Sequence, residues 1–239
     1  MLINNNHDKS NPSLKTSEVL ESISQDRTRT NLLRKYEQRA LAFLVQRIPS
    51  WINSDMLTAI GFFGGIIVFV SFMLAAYLNR NYLILGVLGF IIIWFGDSLD
   101  GRVAYYRNKP RKLYGFALDI TMDWISIILI GCGYIVYSEG IWELLGYGFV
   151  VMYGWEMIIA LMRYKITGKY SIDSGIFGPT EVRIVISAIM VAEVLFPGSL
   201  IYSAVLIIVV LFLTIISDTR KLLRVADGMD IKSADQRAH

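Results

Sequence analysis

Residues 96–123 read GDSLDGRVAYYRNKPRKLYGFALDITMD, and the rest of the chain is best understood outward from them. They place Asp97, Asp100, Asp119 and Asp123 between two strongly apolar segments, YLILGVLGFIIIWF at 82–95 and WISIILIGCGYIVY at 124–137. Flanks of that composition ask for a bilayer. An ionised carboxylate within one costs about 3 kcal/mol even on the mildest scales, so four of them demand a compensating arrangement.

The whole chain agrees with the flanks. Of its 239 residues 54% are hydrophobic, and the mean hydropathy is +0.50, too apolar for an ordinary soluble domain. Residues 56–79 and 194–217 carry no charge at all, and each run exceeds the ~20 residues that cross a bilayer. The pattern predicts an all-α polytopic membrane protein with six spans at 56–78, 82–105, 114–138, 141–163, 180–196 and 199–219; Glu193 interrupts the fifth. Before the first span, NLLRKYEQRALAFLVQRI at 31–48 sets Leu33, Tyr36, Ala40, Phe43 and Leu44 at helical spacing among charged residues. This is the pattern of an amphipathic helix lying on the membrane surface, or of a soluble helix packed on the cytoplasmic face. Pro49 stops it, and Ser54 or Asp55 is placed to cap the next helix. Four regions result: a polar, disordered tail at 1–30, an interfacial helix at 31–50, the membrane domain at 51–222 and a polar tail at 223–239.

Composition also excludes chemistry. The two histidines, His7 and His239, lie at the polar ends, and the single cysteine, Cys132, lies in an apolar run. Serine-histidine catalysis, a Cys-His pair, an intrachain disulfide and a histidine-rich zinc site are all ruled out, which leaves carboxylates. With six spans, Arg107, Lys109, Arg111 and Lys112, then Lys165 and Lys169, then Arg220, Lys221 and Arg224 fall on one side, against Arg80 alone on the other. The positive-inside rule makes the first side cytoplasmic, with both termini there. No internal repeat or targeting segment is visible, which fits a bacterial or archaeal plasma membrane.

Asp97 and Asp100 are three residues apart and share a helix face; Asp119 and Asp123, four apart, share another. A short loop joins their helices, which are therefore expected to be antiparallel neighbours, with all four acids within roughly 15 Å of the cytoplasmic end at ~1.5 Å per residue. Uncompensated, such carboxylates repel and protonate; one or two divalent cations offset them. Oxygen ligands without histidine or cysteine favour Mg²⁺, Mn²⁺ or Ca²⁺ over zinc. Gly96, Gly101 and Gly115 flank the acids and either admit a bulky ligand or let helices pack closely. Metals beside a basic loop suit a phosphate or pyrophosphate. A site opening from bilayer to cytoplasm implies one lipid reactant and one water-soluble one.

The stretch resembles the signature of the CDP-alcohol phosphotransferase family, D-x-x-D-G-x-x-A-R followed after a spacer by G-x-x-x-D-x-x-x-D. Asp97, Asp100, Gly101, Ala104, Gly115, Asp119 and Asp123 match it in register, and Tyr105 stands where the family has arginine. PSWINSDMLTAIGFFGG at 49–65 also looks like the family's approach to its first span. The resemblance implies transfer of a phosphatidyl or similar group from a CDP-linked lipid to a small alcohol with release of CMP, by a homodimer using Mg²⁺ or Mn²⁺, two ions in all. It implies membrane lipids, the CDP-lipid donor and a polar alcohol as partners, and no nucleic acid. Asp97, Asp100, Asp119 and Asp123 would hold metal, with Asp123 also the general base; Gly101, Ala104 and Gly115 would line the cytidine diphosphate pocket. Tyr105 puts the usual donor contact in doubt, and Arg102 or Arg107 is expected to take it over.

Arg163 ends one apolar helix and Arg183 opens another in GPTEVR. In family members with phosphorylated acceptors, arginines in this region bind the acceptor's phosphate, so inositol phosphate or glycerol 3-phosphate is favoured over serine, inositol or ethanolamine. Lipid headgroups are the alternative partner for both arginines, and Glu181 can pair with either. Glu156, inside the same span, is expected to be structural. Two rival readings stand beside the transferase: a cation or proton transporter, which the fixed glycines and basic loop do not explain, and an inactive lipid-binding relative, which Tyr105 alone supports.

Overall fold

A computed structural model of the protein describes residues 34–168 and 179–238, all of it helices and their connections. In chain order the helices are α1 (Arg34–Val45), α2 (Ser54–Tyr77), α3 (Leu83–Tyr106), α4 (Lys112–Tyr137), α5 (Glu143–Thr167), α6 (Pro179–Leu195) and α7 (Ser199–Ala238). The polar segment 1–30 lies outside the described residues. Five helices, α2 to α5 and α7, are long and apolar enough to cross a membrane. The remaining expected span, the fifth, is present as α6, but its 17 residues fall short of the ~20 a full crossing takes. Large apolar side chains such as Phe63, Leu88, Leu206 and Phe212 face outward, as helices bathed in lipid require.

The helices close a ring in which α2 touches α3, α3 touches α6, α6 touches α7, α7 touches α5, α5 touches α4, and α4 returns to α2. Glycines set its tightest contact, between α2 and α3. A Cβ on Gly96 would stand 2.4 Å from Gly61 N and from Leu57 O, and one on Gly64 would stand 2.6 Å from Gly89 O. Only hydrogen at these positions lets two backbones approach so closely. The helices α3 and α4, expected to be antiparallel neighbours, each make their main packing on α2, and they come together at the side chains of Asp97, Asp119 and Asp123.

Local chemistry explains the turns. Asn53, with an extended backbone, caps α2 by accepting a 2.8 Å hydrogen bond from Met56 N, so the cap lies one residue before the expected Ser54 or Asp55. Asn108 takes the left-handed conformation (φ 54°) just past α3, and Pro110 follows, an ordinary way to stop a helix and reverse the chain. The polar tail expected from 223 onward is instead a continuation of α7, which spans 40 residues or ~60 Å, about twice a bilayer's apolar core. No proline interrupts it.

The helix expected before the first span is present as α1, but turned. Its buried residues are Glu37, Leu41, Ala42 and Val45, and Leu41 and Val45 pack with Leu57, Leu99 and Val103. Ala40 and Phe43, assigned to the apolar stripe by spacing, are exposed. Spacing alone could not separate two overlapping stripes on so short a helix; the seam offered by α2 and α3 selects between them. Leu33 and Tyr36 fall outside the residues whose side chains are described.

Candidate active site

A polar cluster lies on α3 and α4 toward the loop that joins them. Asp97 comes from α3, and Asp119 and Asp123, one turn apart, come from α4; an oxygen from each lies within 4.8 Å of the others. All three are partly buried. Oxygen donors so placed, with no softer ligand in the group, fit a hard divalent cation. Gly101 and Gly115 border this place, and a Cβ on either would meet nothing within 4 Å. Of the three glycines named from sequence, Gly96 therefore serves helix packing and the other two leave room.

Asp100 is placed differently. It is 6% exposed, and its carboxylate accepts hydrogen bonds from the Thr58 hydroxyl at 2.7 Å and from Gly101 N at 2.5 Å. Ser54 Oγ donates to its backbone carbonyl at 2.9 Å. The first turn of α2 thus holds Asp100, while the structure gathers the other three acids.

The arginines also part company. Arg183 Nη2 on α6 lies 2.6 Å from Asp97 Oδ2, within the cluster. Arg163, at the far end of α5, lies 3.9 Å from Asp218 on α7, whose other oxygen accepts from Lys221 at 2.8 Å. Arg102 is buried and donates to the Ser98 carbonyl one turn back. Arg107 donates to the carbonyls of Ile48 at 3.1 Å, Pro49 at 2.9 Å and Ile52, tying the α3–α4 loop to the turn before α2. Both arginines expected to replace the missing family arginine are thus engaged with backbone. Tyr105 itself is partly buried, with Lys112 Nζ 5.8 Å from its ring centre. Ala104 is partly buried beside it.

Tyr153 on α5 was not anticipated. Its phenol is close enough to Asp123, Arg183, Asp97 and Glu156 for their charges to act on it, which places it on the inner wall of the cluster. A tyrosine in the apolar run GFVVMYGWEMII gives no signal by itself; its only hint was Glu156, three residues on and hence on the same face. Glu156 is also close enough to Asp218 to act on it, so it lies between the cluster and the Arg163 pair. Asp218, buried at 3% exposure, gives as little signal, since it stands just past a charge-free run.

Beneath the cluster the ring holds an apolar cavity lined by Phe72, Ile130, Phe149, Ile186, Met190 and Leu200 among others. The arrangement can bind a divalent ion, present a carboxylate base to a hydroxyl group, and hold an anion on Arg183, beside open space at two glycines. Compared with known families, residues 51–216 match the model described as CDP-alcohol phosphatidyltransferase. No curated protein matches the chain.

Proposed function

The chain belongs to the CDP-alcohol phosphatidyltransferase family, and from that membership we propose that it transfers the phosphatidyl group of CDP-diacylglycerol to a phosphorylated polyol, inositol phosphate or glycerol 3-phosphate. The observation that carries this reading is the convergence of Asp97, Asp119 and Asp123 within 4.8 Å, beside glycines that leave open space. These three residues would hold Mg²⁺ or Mn²⁺, with Asp100 joining on release from Thr58, and a family homodimer would carry one such site per subunit. Bound there, the ions would neutralise the donor's pyrophosphate and the charge developing on the departing CMP.

The chain's own groups do the rest. Asp123 accepts the proton of the acceptor hydroxyl, whose oxygen then forms a bond to the phosphorus bearing diacylglycerol. The bond from that phosphorus to the CMP oxygen breaks, CMP leaves with the electron pair, and Asp123 passes its proton to water. Gly101 and Gly115 let the cytidine diphosphate approach the backbone, with Ala104 alongside. Arg183 provides the planar fork that grips an acceptor phosphate. Of the two arginines, Arg183 carries this role, because Arg163 faces Asp218.

The basic loop residues and the site lie at the same end of the helices, which supports a site facing the cytoplasm; both termini would lie there too if α6 crosses, in a bacterial or archaeal plasma membrane. Purified protein in detergent, given CDP-diacylglycerol and Mn²⁺, is expected to release CMP only when the right alcohol is added. Inositol phosphate and glycerol 3-phosphate should far exceed inositol, serine and ethanolamine. Equal or better release with an unphosphorylated alcohol would overturn the acceptor, and none with any alcohol would overturn the enzyme.

A further inference from the structure

Arg183 stands where the two polar ligands of the proposed reaction meet. Its Nη2 lies 2.6 Å from Asp97 Oδ2, its side chain is 15% exposed, and Asp123 and Tyr153 are close enough to act on its charge. A divalent ion drawn to Asp97, Asp119 and Asp123 competes with this guanidinium for one carboxylate. In a partly buried setting the two cations also repel each other strongly. An incoming phosphate offers the guanidinium a second partner of matching, bidentate geometry.

We infer that Arg183 is an exchange residue: it trades Asp97 for the acceptor's phosphate, so that a phosphorylated acceptor and a divalent ion each strengthen the binding of the other. The inference rests on the phosphorylated-acceptor reading above and adds to it that the acceptor's charge helps load the metal. Coupling of this kind is reciprocal, since each ligand must alter the affinity of the other by the same factor. An uncharged polyol gives Arg183 no reason to move, so it leaves metal affinity unchanged. Arg163 does not share the role, because its partner is Asp218 on α7.

The test is Mn²⁺ binding to the full-length protein in nanodiscs without donor, followed by electron paramagnetic resonance and corrected by protein-free titrations. Glycerol 3-phosphate or inositol 1-phosphate is expected to tighten Mn²⁺ binding by about tenfold, within the usual range of such couplings, and inositol not at all. Arg183→Gln should bind Mn²⁺ alone about tenfold more tightly than the parent and gain nothing further from either phosphate. Arg183→Lys keeps the charge and serves if the glutamine variant does not fold; it should retain part of the coupling. Two results overturn the inference: a folded Arg183→Gln that binds Mn²⁺ no more tightly than the parent, or tightening by phosphate that is the same in both. If Mn²⁺ coupling holds but no CMP is released, the transferase reading fails and the exchange stands; the reverse pattern removes the exchange alone.

Discussion

The Thr58 hydroxyl on α2 donates a 2.7 Å hydrogen bond to Asp100 Oδ2 on α3, where both residues are buried. A hydrogen bond to a buried charged group contributes about 1.5–3 kcal/mol, so this bond fastens the first motif aspartate helix to its neighbour. It also sets Asp100 apart from the three acids that converge. Thr58→Val is therefore expected to lower the melting temperature of the protein without metal. With saturating Mn²⁺ the deficit should shrink, because Asp100 turning to the ion replaces what Thr58 supplied. A deficit that is the same with and without Mn²⁺ would show that Asp100 stays with α2 and is no ligand.

The glycines divide into two experiments with opposite outcomes. Gly96→Ala sets a Cβ 2.4 Å from the backbone of Gly61 and Leu57, atoms that cannot yield without separating α2 from α3. Overpacking of that kind costs about 1–3 kcal/mol or more, and thermal unfolding should register it directly. Gly101→Ala and Gly115→Ala meet no atom within 4 Å, so their melting temperatures should match the parent. Each should instead weaken CDP-diacylglycerol, measured as a rise in its KM, since the added methyl enters the donor's space.

How much of this was legible depended on whether the deciding partner was near in sequence. The long spans were readable because a charge-free run needs no partner to announce itself. The pairing of Asp119 with Asp123 on one helix face was readable from spacing too, whereas Asp97 and Asp100, paired by the same rule, turn to different partners. That Thr58, 42 residues before Asp100, engages one of the four acids was not, because nothing local to either residue encodes it. The close packing of α3 on α2 follows from Gly61, Gly64, Gly89 and Gly96, and that of α4 on α2 uses Gly65 against Ser126 and Gly133 against Phe72; this complementarity emerges only once the helices are placed. For the same reason Tyr153 was hidden: an aromatic in an apolar run looks like core until a charged cluster is found beside it.

Glu193 shows why the fifth span looked interrupted. The carboxylate is 4% exposed and accepts from Tyr137 Oη at 2.9 Å, Gly198 N at 3.0 Å, Ser199 Oγ at 3.3 Å and Leu200 N at 2.7 Å. It satisfies amides at the start of α7 that have no partner within the helix, and its charge suits the positive end of the helix dipole. Glu193→Ala strands buried donors at about 1–3 kcal/mol each, so a clear fall in melting temperature is expected. Glu193→Gln, which keeps one acceptor oxygen, should lie between. Because Glu193 is remote from the carboxylate cluster, CMP release per folded molecule should be unchanged; a fall in that quantity at unchanged stability would mean the α6–α7 corner influences the site.

Asp123 carries two roles in the proposed reaction, and they can be separated. It belongs to the group within 4.8 Å and is the acid assigned to the acceptor's proton. Asp123→Asn preserves shape and can still offer an oxygen to an ion, but it does not take a proton at neutral pH. Part of any loss would reflect weaker metal binding, so turnover has to be compared at saturating Mn²⁺. There the variant should remain slower by about 10²–10⁴-fold, the usual range for removing a general base, while the affinity for CDP-diacylglycerol changes little. Asp119→Asn, one turn away and without the base's role, should recover much more of its activity as Mn²⁺ is raised. If Asp123→Asn recovers as fully as Asp119→Asn, the proton goes elsewhere, and Asp123 is only a ligand.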